Sequence, residues 1–503
     1  MQRGPWQPKP GDRVVRHPRE EQMSPVRLTI STPKARSPAL ATPLVLLYAF
    51  AGLVAVGTIL LLPPYTHVGG GMTPFVDALF TATSAITVTG LVTHDTATYW
   101  TPIGQALILV LVFLGGLSFM TIATFLLIIM GQRLSLAQRL LARDSYQITQ
   151  LGGLTRLTVY IVVVAAAIQL VGFVALTARL SFVSDSLAEA AWQGLFQSVS
   201  AFNSSGFVNL SESDSLSMFI ADPIVLGIMG SLIFLGTISY LATADVIRLI
   251  RVRGRGVMTF LGLRRRVVEE EGPRQWTLPL NTKLVLILTA VLTLAGATMF
   301  FSSEHDNPKT MGALDLSDKI VVSLFESTSG RTAGFSTVDY GETAQHTNFF
   351  FTSLMFIGGA SASVAGGIKI NTLAVVLVAV ISTLGGRSHA RAFHREIPHV
   401  QVQRATAIVG VALLCVFAVV LALTFTERGS GLAFIDLLFE SVSAFGTVGL
   451  STGLTADLSR WGHGILIIAM FVGRVGTLTL GLMMIQRGEN DLYRYARERI
   501  TIG

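Results

Sequence analysis

Four copies of one short pattern run along the chain, and this repetition constrains the fold more than any other feature. Each copy begins with Leu-Phe, continues through small and hydroxyl residues, and reaches a glycine that is followed by Leu or Phe. The copies are LFTATSAITVTGLVT from Leu79, LFQSVSAFNSSGFVN from Leu195, LFESTSGRTAGFSTV from Leu324 and LFESVSAFGTVGLST from Leu438. Their glycines are Gly90, Gly206, Gly334 and Gly449, and the separation from Phe to Gly is ten residues in three copies and nine in the third. Repetition at long intervals indicates repeated structural units.

Each copy is too short to cross a bilayer, but apolar runs flank it. Such runs include Pro43–Leu62, Ile103–Met130 and Val159–Leu176, and a crossing helix needs about 20 residues. The chain is 51% hydrophobic and only 13% charged, whereas soluble chains carry about 25% charged residues. The pattern predicts an all-α integral membrane protein. In it, four tandem helix–pore helix–helix repeats, with eight long membrane helices, surround one central pore.

The repeats and their connectors divide the chain into five segments. We expect a disordered cytoplasmic tail at 1–40, repeat 1 at 41–145, repeat 2 at 146–262, repeat 3 with an intramembrane loop at 263–386, and repeat 4 with the C-terminal tail at 387–503.

The distribution of basic residues predicts the topology. Of the 37 Lys and Arg residues, 29 lie in residues 1–40, 131–156, 246–283, 387–404 and the C-terminal tail. Cytoplasmic segments of membrane proteins carry such an excess, so both termini are expected in the cytoplasm of a multi-pass cell membrane protein. Topology then explains the net charge of +7 without any nucleic-acid partner.

Other residue patterns argue against an enzyme. The only cysteine, Cys415, excludes an intramolecular disulfide and any multi-cysteine metal site. The sequence contains no HExxH motif, no paired membrane histidines and no membrane Ser/His/Asp constellation. A substrate-binding secondary transporter with broken helices is a second alternative, but it would be expected to show inverted repeats. The four repeats here are parallel.

The glycine loops have properties that suit a cation filter. Non-helical backbone survives at membrane depth only where protein buries it or a water-filled cavity adjoins it. Its carbonyl oxygens can replace the hydration shell of potassium, and glycine leaves no side chain in the pore. The negative C-terminal end of the preceding short helix favours a cation. Close helix packing through glycine is the alternative, but four equivalent copies favour the filter.

The four loops resemble the filter motifs of the Ktr/Trk/HKT superfamily of potassium transporters, and the chain is most similar to the Ktr membrane subunit. The resemblance extends from about residue 40 to the C-terminus. Trk proteins carry two further helices ahead of the repeats, which the N-terminal tail lacks; a Trk-type subunit remains the alternative. The ending RERITIG is similar to the Ktr tail that contributes to dimer contacts.

The resemblance implies a filter, ions and partners. The implied filter residues are Thr87, Val88, Thr89, Gly90, Asn203, Ser204, Ser205, Gly206, Arg331, Thr332, Ala333, Gly334, Gly446, Thr447, Val448 and Gly449. K+ is the implied transported ion, and Na+ is a candidate activator. In plant relatives, serine at the first filter glycine is associated with sodium passage. The implied partners are a second copy of the chain, the lipid membrane and a cytoplasmic RCK-type ring that binds adenine nucleotides. No nucleotide-binding pattern occurs in this chain.

A glycine-rich stretch in repeat 3 predicts a gate. Glycine pairs at both ends of a small, polar run should break a helix in the membrane, although close helix packing is an alternative. The predicted gate comprises Gly358, Gly359, Ala360, Ser361, Ala362, Ser363, Gly366, Gly367, Lys369 and Arg474. The family's gate loop similarly ends in Gly-Gly-Ile-Lys.

Two arginines receive different predictions. Arg474 lies within the last apolar run, where a charge is costly unless it faces a cavity or a partner. We expect it to donate hydrogen bonds to carbonyl groups of the gate loop and to form a barrier to cations. Arg331 opens the third filter segment, where a structural role is expected. Its candidate partners are carbonyl groups of the short helix, Glu326 and Glu440.

Overall fold

The computed structural model describes residues 43–116, 154–210, 216–240, 242–250 and 278–476. The predicted tail at 1–40, the basic connector Arg251–Arg266, the ending RERITIG and the boundaries predicted between repeats 1 and 2 and between repeats 2 and 3 lie outside the described residues. Nearly all secondary structure in the described part is helical, in agreement with the predicted fold class.

The described helices and strands follow one another along the chain. They are α1 (Pro43–Leu61), α2 (Phe75–Thr87), α3 (Thr96–Tyr99), α4 (Pro102–Gly116), α5 (Leu154–Leu180), α6 (Leu187–Asn203), α7 (Pro223–Thr237), α8 (Ala242–Ile250), α9 (Leu280–Glu304), α10 (Leu316–Thr332), α11 (Gln345–Met355), α12 (Ile370–Leu384), β1 (Arg391–Ala392), β2 (Arg395–Glu396), α13 (His399–Thr426), α14 (Phe434–Gly446) and α15 (Arg460–Phe471).

The four copies of the sequence pattern form the short helices α2, α6, α10 and α14. Each has an acidic residue in its first turn, where the positive end of the helix dipole stabilises it. These residues are Asp77, Glu189, Asp318 and Asp436. The C-terminal ends of the four helices, with their partial negative charge, lead directly into the glycine segments.

The phenylalanine of each Leu-Phe pair anchors its short helix in the core. Phe80, Phe196, Phe325 and Phe439 are at most 3% exposed. Three of them pack with apolar residues of the longer helices in two large clusters, and Phe196 packs with α1, α2 and α4. The short helices therefore lie inside the protein, and the longer helices surround them.

Three of the described helices are long and apolar enough to cross a membrane. They are Ile161–Leu180, Leu280–Glu304 and His399–Thr426, and the bent pair Pro223–Thr237 and Ala242–Ile250 would make a fourth. The part Leu47–Leu61 of α1 and the helices α4 and α12 are apolar but shorter, and α4 runs up to residues that the structure does not describe. The count of eight membrane helices remains a prediction.

The surface of the longest helix suits contact with lipid. Large apolar side chains of α13 are exposed along its length, although the helix also buries one face. Those exposed are Leu413, Leu414, Phe417, Leu421 and Phe425. A helix that is apolar on all sides is typical of a membrane span.

A small basic hairpin joins α12 to α13. Strands β1 and β2 pair antiparallel, with Arg391 opposite Glu396. Phe393 and His394 form the turn with φ of 49° and 61°, and Lys283 lies over the Phe393 ring, 5.6 Å from its centre. The hairpin falls in the predicted cytoplasmic connector between repeats 3 and 4.

Candidate functional site

Three of the four short helices end in the same way. Val88, Ser204 and Thr447 directly follow α2, α6 and α14 and adopt left-handed conformations with φ of 58°, 57° and 51°. Such values are rare for β-branched residues such as Val88 and Thr447, so the surrounding contacts must hold these two conformations. Helix α10 differs, because Ala333 has φ of −121° and leads straight to Gly334. The third copy lacks the left-handed residue, which explains why its Phe-to-Gly separation is one residue shorter.

The four repeat glycines contact one another in a closed ring. Each has a positive φ, between 72° and 97°. An added Cβ would lie 2.1 Å from Ser205 O at Gly90, 2.8 Å from Ala333 O at Gly206, 2.2 Å from Val448 O at Gly334 and 1.9 Å from Thr89 O at Gly449. Each glycine therefore faces the next segment, and the fourth faces the first. Only glycine satisfies both the conformation and the approach.

The structure brings the sixteen predicted filter residues together. All of them are buried except Gly334, which is half-buried. The carbonyl oxygens that precede the four glycines belong to Thr89, Ser205, Ala333 and Val448, and each lies against a glycine of the neighbouring segment. Backbone oxygens arranged in this way can bind a dehydrated cation.

Two buried glutamates hold the chain just beyond the glycine ring. Glu326 of α10 accepts hydrogen bonds from the Thr337 N–H at 2.6 Å, the Thr337 hydroxyl at 2.7 Å and the Tyr340 hydroxyl at 3.0 Å. Both this glutamate and Glu440 are fully buried. Sequence reasoning named these glutamates only as partners for an arginine. Their equivalent place, one residue after Leu-Phe in the third and fourth copies, was the available signal.

The fourth segment repeats this arrangement with different donors. Glu440 of α14 accepts from the Ser451 hydroxyl, from the Thr452 N–H at 3.2 Å and from the Thr455 hydroxyl at 2.8 Å. Because both carboxylates are occupied by the loop that follows their own glycine, they connect each short helix to the far end of its glycine segment.

Arg331 does not pair with either glutamate. It is only 1% exposed, and its Nε and Nη1 atoms have no hydrogen-bond partner among the residues that the structure describes. Within the described part of the chain, no ion pair joins it to Glu326 or Glu440. The structure places Arg331 at the end of α10, as expected, but the expected acidic contacts are not formed.

The predicted gate segment is the non-helical connection between α11 and α12. Its two ends are joined, because the Gly358 N–H donates to Ile368 O at 2.9 Å and the Ile370 N–H donates to Gly359 O at 3.0 Å. Ala362, near the middle, has φ of 59°. The segment is therefore a loop with a closed base, which we call the gate loop (residues 358–369).

The gate loop packs against two other repeats. The Ala360 N–H donates to Thr237 O at 3.0 Å, at the end of α7. A Cβ added to Gly366 would lie 2.0 Å from Thr447 Oγ1, and Thr447 precedes the fourth ring glycine by two residues. The loop thus contacts the filter segment at the end nearer the short helix, opposite to the end held by Glu440.

Two cationic side chains accompany the gate loop. Lys369 donates to Ala365 O within the loop. Arg474, in the short π-helix Val472–Gly476 that follows α15, donates from Nη1 to Val364 O at 2.5 Å and from Nη2 to Gly115 O at 2.6 Å. Arg474 therefore joins the gate loop to the end of α4.

Comparisons with known proteins agree with the resemblance in the motifs. The family model described as "TrkH: Cation transport protein" matches residues 31–493. The solved structure of the potassium transporter TrkH from Vibrio parahaemolyticus has a TM-score of 0.63 at 15% identity, covering 90% of this chain and 86% of that chain. At this identity the structural match supports the fold alone.

Curated relatives match over almost their whole length. The chain is 36% identical to the Ktr system potassium uptake protein B of Vibrio alginolyticus, over 92% of this chain and 95% of the relative. It is 34% identical to the protein of the same name from Bacillus subtilis, over 92% and 96%. It is also 34% identical to the potassium/sodium uptake protein NtpJ of Enterococcus hirae, over 90% and 95%.

Proposed function

The chain belongs to the TrkH family of cation transport proteins, and we propose that it is the potassium-conducting membrane subunit of a Ktr-type uptake system. It is a multi-pass membrane protein, and because the family is a transport family, the exclusion of an enzyme is confirmed. The relatives named for potassium uptake support K+ as the transported ion. The relatives named for the Ktr system favour this type over a Trk-type subunit.

The closed ring of four glycines is the observation that carries the proposal. In it, the carbonyl groups preceding each glycine form the narrowest part of the selectivity filter. Four backbone segments approach one another so closely that a Cβ at Gly449 would lie 1.9 Å from Thr89 O. Backbone carbonyl groups from four sides replace the water around K+, and the four helix ends add negative potential.

Rubidium uptake into proteoliposomes tests the proposed function. Vesicles loaded with KCl and containing the purified chain should accumulate 86Rb+, and external K+ should compete better than Na+. Vesicles without protein give the background. Uptake no greater than this background, with or without Na+ and with or without the cytoplasmic ring proposed below, would contradict the proposal.

The role of Na+ is tested by further measurements on the same vesicles. One of the relatives at 34% identity is named for potassium and sodium uptake, which supports Na+ as a co-transported ion or an activator. Rubidium uptake that rises on adding Na+ would identify an activator, and 22Na+ accumulation would identify a transported ion. If added Na+ does not raise rubidium uptake and 22Na+ does not accumulate, Na+ is neither an activator nor a transported ion.

The gate loop is proposed to block the path below the filter at rest. Its contact with Thr447 and its hydrogen bonds to α7 support this, because they bring small residues close to the end of the proposed filter nearer the short helix. Arg474 holds the loop and adds a positive charge near the ion path. Opening requires that a regulator bind two states of this region with different affinities.

The proposed regulator is a cytoplasmic RCK-type ring that binds adenine nucleotides. The name of the Ktr system in the relatives supports a partner subunit. We propose that the basic connectors Arg251–Arg266 and Arg387–Arg395 contact the ring. Arg387, Arg391 and Arg395 are exposed in the described connector. Because one chain carries four filter segments, a homodimer would contain two separate pores.

Neutralising the hairpin is expected to weaken ring binding. The triple variant R387Q/R391Q/R395Q removes three positive charges from the proposed cytoplasmic face, so co-purification of the ring should fall. R428Q is the matched control, since Arg428 is a basic residue in the connector proposed to lie outside. Equal co-purification of the ring with the triple variant and the parent would exclude the hairpin as a contact.

Thiol labelling tests the proposed topology. In a Cys415→Ser background, His389→Cys should resist an impermeant thiol reagent added to intact cells, because the hairpin is proposed to be cytoplasmic. Ser430→Cys, in the connector between α13 and α14, should react. Both positions are exposed, so accessibility within the protein does not separate them. Labelling of the first and protection of the second would reverse the topology.

A further inference from the structure

A serine occupies the same place in all four short helices, six residues into each copy of the pattern. The four are Ser84, Ser200, Ser329 and Ser443, here called the serine quartet, and all are fully buried. We propose that the serine quartet positions the filter backbone, with two serines setting carbonyl groups towards the ion and two setting them away. This inference rests on the proposed function of the ring as a filter.

In the first and fourth segments, the serine accepts a hydrogen bond from the ring glycine. The Gly90 N–H donates to Ser84 Oγ at 3.0 Å, and the Gly449 N–H donates to Ser443 Oγ at 3.1 Å. A trans peptide places its N–H and C=O on opposite sides. The carbonyl groups of the same peptides, before each glycine, are therefore turned away from the short helix and towards the ring.

In the second and third segments, the serine donates instead. Ser200 Oγ donates to Phe207 O at 2.8 Å, and Ser329 Oγ donates to Phe335 O at 2.6 Å. These carbonyl groups follow the ring glycines and point back towards the short helices. They therefore point away from the proposed ion path. In these two segments, the carbonyl groups after the ring glycine are not available to bind an ion.

The backbone of the glycines divides in the same way. Gly90 and Gly449 have φ of 91° and 97°, whereas Gly206 and Gly334 have φ of 72° and 74°. Hydrogen-bond direction and φ thus separate segments one and four from segments two and three. The four segments of the ring are similar, but the serine accepts a hydrogen bond in two of them and donates one in the other two. Segments of the same kind are neighbours in the ring.

This difference predicts unequal effects of losing each hydroxyl. Ser84→Ala or Ser443→Ala leaves a buried N–H without a partner, so the peptide that carries a proposed ion ligand can turn. Ser200→Ala or Ser329→Ala frees a carbonyl group that is not a ligand. The first two substitutions should weaken ion binding more than the second two.

The fourth short helix provides a matched control. Ser441 is also fully buried, but its hydroxyl donates to Leu437 O at 2.6 Å within the same helix. Ser441→Ala and Ser443→Ala therefore remove the same atom from the same helix, and only the second removes a contact with the filter. Ser443→Thr retains the hydroxyl.

The experiment measures 86Rb+ uptake by parent and variant proteoliposomes, with Na+ as competitor. We expect Ser443→Ala to raise the half-saturating Rb+ concentration about tenfold and to make Na+ a stronger competitor. Ser441→Ala should retain the parent values, and Ser443→Thr should restore them. Ser329→Ala should shift the half-saturating concentration less than Ser443→Ala.

Several outcomes would overturn the inference. One is a folded Ser443→Ala variant with unchanged Rb+ affinity and Na+ competition, and another is an equal effect of Ser441→Ala. Ser84→Ala, with Thr83→Val as its control, repeats the test in the first segment. If both quartet variants fail to fold while both controls fold, the serines act in stability alone. Loss of the proposed function is distinguished because the parent itself would then show no uptake.

Discussion

Replacing Gly90 with serine is expected to reduce the preference for potassium over sodium at least about tenfold. Gly90 has φ of +91°, and an added Cβ would lie 2.1 Å from Ser205 O and 2.9 Å from the Cα of Gly206. The first and second filter segments must therefore move apart. In the proposed filter, carbonyl groups at close range replace the hydration shell of K+, so a wider ring is expected to discriminate less against Na+.

Gly453→Ser is the matched control for this substitution. Gly453 has a similar φ of +86°, but no atom of the described residues lies within 4 Å of an added Cβ. Both variants bear the backbone cost of a non-glycine residue in this region, about 1–2 kcal/mol, and only Gly90→Ser also disturbs the ring. Competition of K+ and Na+ against 86Rb+ uptake provides the measurement. Unchanged competition in a folded Gly90→Ser variant would remove Gly90 from the filter.

The repeated pattern made much of this site predictable. Four short helices that each lead into a glycine segment follow from the motif alone, and the glycine-rich interruption between α11 and α12 follows from composition. The shorter third copy was also visible as a missing residue. Its structural cause, the left-handed residue that is present at Val88 and absent before Gly334, could not be derived without backbone geometry.

Contacts between distant parts of the chain were not predictable. Arg474 was expected to bond to the gate loop, but its second acceptor, Gly115 O, is given by no pattern in the sequence. The candidate partners of Arg331 included Glu326 beside helix carbonyl groups, yet Glu326 is occupied by Thr337 and Tyr340. Which of several nearby donors a buried carboxylate accepts depends on three-dimensional packing, which repeats and periodicity do not determine.

The serine quartet was predictable only in part. Its sequence signal is complete, since every copy has the serine at the same place. Small hydroxyl residues are nevertheless so common in these segments that Ser84 and Ser443 could not be separated from Ser198 or Ser441. Only the direction of each hydroxyl distinguishes a serine that contacts the filter from one that bonds to a helix.

Removing the gate loop is expected to increase rubidium flux and to reduce its dependence on the cytoplasmic ring. Deletion of Ala360–Ala365 is suited to the structure, because the base of the loop is already closed by the Gly358–Ile368 and Gly359–Ile370 hydrogen bonds. The added Cβ of Gly358 would lie 2.0 Å from Gly366 O, so the ends to be joined are neighbours. Selectivity should persist because the glycine ring is untouched.

Arg474→Ala should act in the same direction, since it removes both a tether and a positive charge. Arg474→Lys separates the two contributions: a lysine keeps the charge but lacks the planar fork that reaches Val364 O and Gly115 O together. A tether predicts raised flux in both variants, whereas a purely electrostatic barrier predicts raised flux in Arg474→Ala only. The measurement is 86Rb+ flux with and without the ring. If the deletion and Arg474→Ala fold yet conduct no faster than the parent, the loop is a packing element and the gate lies elsewhere.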